Sequence, residues 1–138
     1  MKRLLLLLAV FFACVACTAQ LDEKVVDTYP DGKTLKSQFF DRKGNCVKEV
    51  EYYSTGEVRM EVSMKEAKRE REWKAYFIDG RMQSHGFFKD GLRTGQATVW
   101  QENGNLLQEG FYKEGKRCGR WKFYDEQGNL IKEVDFGE

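Results

Sequence analysis

Histidine occurs once in this chain, at His85, and proline once, at Pro30. The single histidine means that any serine or cysteine dyad would have to use it. A surplus of charge of either sign is also missing. Setting aside Lys2 and Arg3 leaves 21 basic residues against 22 acidic ones. A nucleic-acid binder would show a basic excess or stripe, so no nucleic-acid partner is expected. The same balance removes long-range steering toward anionic membranes as a main driving force. The charges read as evenly scattered, so both faces of a sheet would be wet at their edges. An apolar run long enough for a membrane-spanning helix is absent too. The one candidate, Leu4 to Val15, is about a dozen residues where roughly 20 are needed.

That run follows Met1-Lys2-Arg3 and has the form of a secretory signal peptide, a positive n-region before an apolar h-region. The expected organisation is therefore a signal over 1–19, a polar tether over 20–24 and a repeat domain over 25–138. Two endings of the signal fit. Ala16-Cys17 reads as a lipoprotein site, with Cys17 as the lipidated first residue, although Cys14 stands three before it where leucine is usual. Cleavage after Ala19 would instead leave Gln20 first. The expected location is outside the cytoplasm, in a periplasm or at an outer membrane or cell surface. Cys17 is the candidate lipid anchor.

Everything beyond the signal keeps a beat. Phe40, Tyr52, Met64, Tyr76, Phe88, Trp100, Tyr112, Tyr124 and Phe136 fall one every twelve residues. Gly32, Gly56, Gly80, Gly104 and Gly128 are each 24 apart. A fixed period of this length marks a repeat architecture. Asp-Gly, Asn-Gly and Lys-Gly-Asn stand between runs of alternating polarity, which makes them hairpin turns. Val58, Met60, Val62 and Met64 alternate with Arg59, Glu61 and Ser63 as a half-buried strand does. Pro30 sits at a turn entrance, where its missing N–H harms no ladder. Gly86 and Gly110 form a glycine column whose bare backbone leaves a neighbouring ring somewhere to lie. The charged stretch from Lys65 to Glu72 reads as an exposed connection that has lost its glycines. The fold expected is all-β, an elongated antiparallel β-hairpin solenoid built as one twisted sheet of 24-residue repeats.

The string from Gly110 to Tyr124 reads G-x-Y-x-x-G-x-x-x-G-x-W-x-x-Y. It resembles the bacterial variant of the MORN repeat, seen in exported proteins of the antitoxin-like MORN family, and the likeness runs over about 73–136. Over 25–72 it weakens: Ala67 and Arg71 hold the second glycine pair and Glu49 the tryptophan position. There the twelve-residue beat is also similar to tyrosine-aspartate repeats. The resemblance implies stacked hairpins, roles in scaffolding, protein contact or membrane contact, and no enzyme chemistry. A toxin-neutralising role would follow from the family label alone and sits awkwardly with export. The residues taken to define the repeat are Tyr52, Tyr76, Phe88, Trp100, Tyr112, Trp121 and Tyr124, with Gly80, Gly104 and Gly128.

His85 shares a column with Glu61, Glu109 and Glu133 on strands two apart, spaced about 10 Å, too dispersed for a compact metal site. It reads as a solvent-facing polar column. Cys46 and Cys118 are separated by three whole repeats, so about 29 Å of sheet should keep them from bridging. No catalytic, cofactor or metal residue is assigned, and no enzyme activity is expected. The leading function is an extended sheet surface for a protein partner in the cell envelope. The alternative is a glycan- or membrane-surface-binding module, since exposed rings stack on sugars. Trp100 is expected in the core, where its replacement by alanine would cost about 3–5 kcal/mol.

Overall fold

The computed structural model describes residues 20–138. The signal segment, Cys17 included, lies outside the described residues. Ten strands follow one another: β1 Asp22–Thr28, β2 Thr34–Phe40, β3 Cys46–Tyr52, β4 Val58–Lys65, β5 Lys68–Tyr76, β6 Met82–Lys89, β7 Leu92–Trp100, β8 Leu106–Lys113, β9 Lys116–Tyr124 and β10 Leu130–Asp135. They form one open antiparallel sheet in sequence order. There are no helices among the described residues. The all-β hairpin array expected from the repeat is what is found.

One boundary moves. β1 begins at Asp22, which pairs with Phe40, so most of the stretch read as a tether is strand. A polar, charged edge strand has no buried face to give it an alternating pattern, and its sequence therefore looks like linker.

The 24-residue period is filled in two ways. From 29 to 52 it consists of a five-residue loop, a seven-residue strand, another five-residue loop and another seven-residue strand. From 53 onward it consists of a five-residue loop, an eight-residue strand, a two-residue turn and a nine-residue strand. Three residues leave the loop and join the strands, and the count never slips.

All the two-residue turns have both residues at positive φ: Glu66 and Ala67 (49° and 60°), Asp90 and Gly91 (51° and 82°), Glu114 and Gly115 (49° and 82°). That is the type I′ geometry whose twist matches a hairpin. The stretch 65–72 is thus no connection, as the missing glycines had suggested. It is the end of β4, a tight turn and the start of β5, with Ala67 and Arg71 (φ 64°) accepting the left-handed region that Gly91 and Gly95 occupy one repeat later. Strand pairing holds them there, Lys65 with Lys68 across the turn and Arg71 with Phe88.

Chain reversal at each turn sorts side chains by edge and by face. One row runs from Val25 through Ser37, Val50, Glu61, Lys74, His85, Thr98, Glu109 and Lys122 to Glu133, each paired with the next. The face carrying it is called the polar face. The opposite, ring face carries Val62, Trp73, Gly86, Ala97, Gly110 and Trp121. The twelve-residue aromatic ladder therefore splits in two. Tyr52, Tyr76, Trp100 and Tyr124 lie on the polar face beside the five-residue loops, whereas Phe88 and Tyr112 lie on the ring face beside the tight turns.

Candidate interaction surface

The ring face holds the most deeply buried aromatic side chains, Trp121 and Phe88. Trp121 is buried to 1% exposure, whereas Trp100 is only half-buried, so the core tryptophan is Trp121 and not Trp100. The ring of Trp121 meets Tyr112 edge-on at 5.1 Å and Phe136 at 6.3 Å. Its indole Nε1–H donates to the Phe111 carbonyl at 3.0 Å. It lies on the bare backbone of Gly110, where an added Cβ would stand 2.2 Å from the indole. At Gly86 the same would happen against Trp73, at 2.5 Å. The glycine column is thus a seat for two tryptophans, as its spacing had indicated.

Three arginines spaced by 24 residues cover these rings. Arg69 lies 5.6 Å from Phe88, Arg93 5.2 Å from Trp73 and 5.3 Å from Tyr112, and Arg117 4.3 Å from Trp121. A guanidinium over an aromatic face is attracted by the ring quadrupole and keeps its edge in water. Burial pushes the Tyr112 phenol up, but the hydrogen bonds of Arg117 and Arg93 outweigh it and the net shift is downward.

On the polar face two tyrosines of the ladder find carboxylates. Tyr76 Oη–H donates to Glu61 at 2.7 Å, and Tyr124 Oη–H to Glu109 at 2.8 Å, each partner 15 residues earlier. Burial, the hydrogen bond and the Glu61 charge together push the Tyr76 phenol up to about 12. Burial opposes ionisation of Glu61, yet hydrogen bonds from Lys48 and Tyr76 hold its carboxyl below the usual range. Lys48 Nζ stands 2.5 Å from it. In the copy between, Trp100 has no hydroxyl to give, and the carboxylate position is taken by His85. That histidine meets Glu72 on the neighbouring strand at 2.8 Å, and Lys74 Nζ meets the same carboxylate at 2.9 Å. The predicted column is therefore real, but Glu61, His85 and Glu109 are hydrogen-bonded and half-buried where open solvent had been expected, and only Glu133 is exposed. Its signal was in the sequence, as a tyrosine and a glutamate 15 apart, repeated after 48 residues.

Phe87 and Phe111 stand on this same polar face, also 24 apart, and stay 37% and 51% exposed. Sequence reading passed over them because they fall one residue short of the ladder. A shallow hollow of about 200 Å³ lies nearby, lined by Lys48, Glu61, Glu72 and Lys74 among others. Tyr52 closes β3 half-buried, and Gly80, Gly104 and Gly128 occupy the five-residue loops at φ of 85°, 89° and 85°. In each of these loops the glycine N–H donates to the first loop carbonyl. Cys46 and Cys118 are free thiols on β3 and β9.

Comparison with known proteins adds a family match. No curated protein matches the chain. Among solved structures, "Crystal Structure of TarM" is 12% identical with a TM-score of 0.33, over 82% of this chain and 19% of that one. "Crystal structure of GtfA/B complex bound to UDP and GlcNAc" is 13% identical with a TM-score of 0.29, over 80% of this chain and 25% of that one. The chain thus spans a quarter or less of either, and neither likeness bears on function. Residues 93–114 and 117–136, which include Tyr112 and Trp121 of the arginine-covered rings, match the MORN repeat variant.

Proposed function

We propose that this is an exported, non-enzymatic repeat protein whose polar face receives a protein partner. One observation carries the reading: Phe87 and Phe111 expose their rings on a face otherwise ordered by tyrosine–carboxylate and amine–carboxylate contacts. Their strands, β6 and β8, are two apart, which separates the rings by about 10 Å. Aromatic residues on a polar, pre-ordered surface are the usual anchors of a protein interface. The twin MORN repeat variant segments support a sheet surface as the working part of the chain. Lys2, Arg3 and the apolar run to Val15 support export, and Cys17 supports a lipid tether.

The same exposed rings favour glycan stacking as a second reading. Purification of tagged full-length protein from native envelope separates the two, with Phe87→Ser/Phe111→Ser run beside it. A stoichiometric protein that elutes with the unaltered chain and disappears from the variant supports the first reading. Retention on cell-wall polysaccharide that the double variant abolishes moves the assignment to glycan. Equal recovery from both chains removes these rings from any site. The mass of the N-terminal peptide decides between Cys17 and Gln20 as first residue.

A further inference from the structure

The near-zero net charge conceals a separation. The tight turns carry KEAKR (65–69), KDGLR (89–93) and KEGKR (113–117), in which basic residues outnumber acidic ones in every copy, by three to one, two to one and three to one. Of these side chains only Arg69 has a carboxylate within ion-pairing distance among the described residues, Glu49 at 3.9 Å. All these turns lie on one long edge of the sheet. Five-residue loops line the other edge, except 41–45, which joins β2 to β3 on the turn edge and brings Arg42 and Lys43 against Asp41. On the loop edge Asp31 and Asp79 are matched by Lys33 and Arg81, but the carboxylates of Glu57, Glu102, Asp125 and Glu126 make no ion pair within 4 Å among the described residues, although Arg81 donates to the Glu102 carbonyl. The charges are not evenly scattered, as they read along the chain. They are sorted into a basic turn edge and an acidic loop edge.

Both edges are also held at a fixed pitch. On the turn edge the Gly91 N–H donates to the Arg69 carbonyl and the Gly115 N–H to the Arg93 carbonyl, each at 2.9 Å. On the loop edge Tyr53 Oη–H donates to the Tyr76 carbonyl at 2.8 Å, and Asn103 Nδ2–H to the Glu126 carbonyl at 2.7 Å. Because one 24-residue repeat generates both edges, both repeat every two strands, about 9.6 Å. A hollow of about 610 Å³ opens between successive tight turns, lined by Leu92, Thr94 and four basic residues, Lys89, Arg93, Lys113 and Lys116, against two acidic ones, Asp90 and Glu114. Leu92 there and Ile78 in a loop on the opposite edge are about half exposed.

We propose that the turn edge docks the loop edge of a second copy of this chain. Opposite charge, equal pitch and a hollow able to seat an acidic loop tip together select the second copy as occupant. The contact joins different surfaces on the two partners, so it leaves one edge free on each and can propagate. A net charge near zero leaves little overall repulsion against it. The proposal does not use Phe87 or Phe111, so its failure leaves the polar-face reading untouched.

Sedimentation velocity of the purified full chain tests it. Mean mass is expected to rise with protein concentration in about 10 mM salt and to fall to the monomer in about 1 M, as the Debye length shrinks from roughly 30 Å to 3 Å. Lys89→Glu/Lys113→Glu/Lys116→Glu makes the two later tight turns acidic like the loop edge, and Glu57→Lys/Glu102→Lys/Glu126→Lys makes the loop edge basic like the turn edge. Each is expected to be monomeric alone with an unchanged circular dichroism spectrum, and their mixture to associate. A chain that stays monomeric at low salt overturns the proposal without recourse to any variant. So does association that salt leaves unchanged, or a mixture of two folded variants that fails to associate. Retention of a monomeric chain on anionic vesicles would assign the turn edge to another partner.

Discussion

The N-terminal strands β1 to β3 and the C-terminal strands β5 to β9 solve the same packing problem with different chemistry. Where the later repeats place Trp73, Ala97 and Trp121, the first places Glu49. Glu49 is only 5% exposed, and it is met by Lys36 Nζ at 2.7 Å and Gln38 Nε2 at 3.3 Å. One half of the ring face is therefore held by indoles seated on glycine and capped by arginine, the other by a buried carboxylate and its donors. Burying apolar area contributes in proportion to the area removed from water. A buried carboxylate stabilises only while its partners are complete, because desolvation offsets most of the Coulombic gain. A single-layer sheet has a thin core, so the C-terminal half should be the more robust and the N-terminal half the first to open.

The largest expected effect tests the indole side. Trp121→Ala should destabilise the protein by about 3–5 kcal/mol in denaturant unfolding, and the half-buried Trp100→Ala by less than half of that. Equal losses would mean that the two faces share the core evenly. Next comes the ionic side. Glu49→Ala leaves Lys36 and Gln38 without their acceptor and should cost about 1–3 kcal/mol, with hydrogen exchange accelerated in β2 and β3 but not in β8 and β9. Uniform acceleration would make the two halves one cooperative unit.

A smaller effect, of opposite sign, lies at the junction of the halves. Ala67 holds φ 60° where Gly91 and Gly115 stand in later repeats. Ala67→Gly should raise stability by about 1 kcal/mol, since only glycine enters that region without steric cost. A loss would show that the turn is already relaxed.

The smallest change is one of pH dependence. Tyr76 keeps its proton to about 12 in the folded chain, against 10.0 ordinarily. Between those values the folded state holds a proton that the unfolded chain has released, so stability falls as pH rises from about 10 to 12. Tyr76→Phe should remove the tyrosine that titrates near 12 in the ultraviolet absorbance, at a cost of about 1 kcal/mol. An unchanged absorbance titration would mean that Glu61 does not hold that phenol. Glu61 contributes in the other direction. Its carboxyl is held low, so the stability it adds is present above the ordinary carboxylate range and is lost as pH falls through the lowered value.

Much of the fold was legible because its cues are local. Gly32, Gly56, Gly80, Gly104 and Gly128 mark loops that need positive φ, and Gly86 and Gly110 mark seats for rings. Lys65 to Glu72 was misread for the same reason. Ala67 and Arg71 adopt a glycine's conformation under the pull of neighbouring strands, and no local cue records that. Trp100 was misplaced because spacing counts aromatic residues without saying which ones are covered. Phe87 and Phe111 were missed because they lie beside the beat.

From the sequence alone came the 24-residue period, the turns and hence the order of the strands, since each hairpin is closed by residues adjacent in the chain. Face and edge were assigned by tertiary packing. Side chains alternate every residue and the chain reverses at every turn, so rings twelve apart fall on opposite faces and opposite edges. Charges that look mixed along the chain are thereby separated by the width of the sheet.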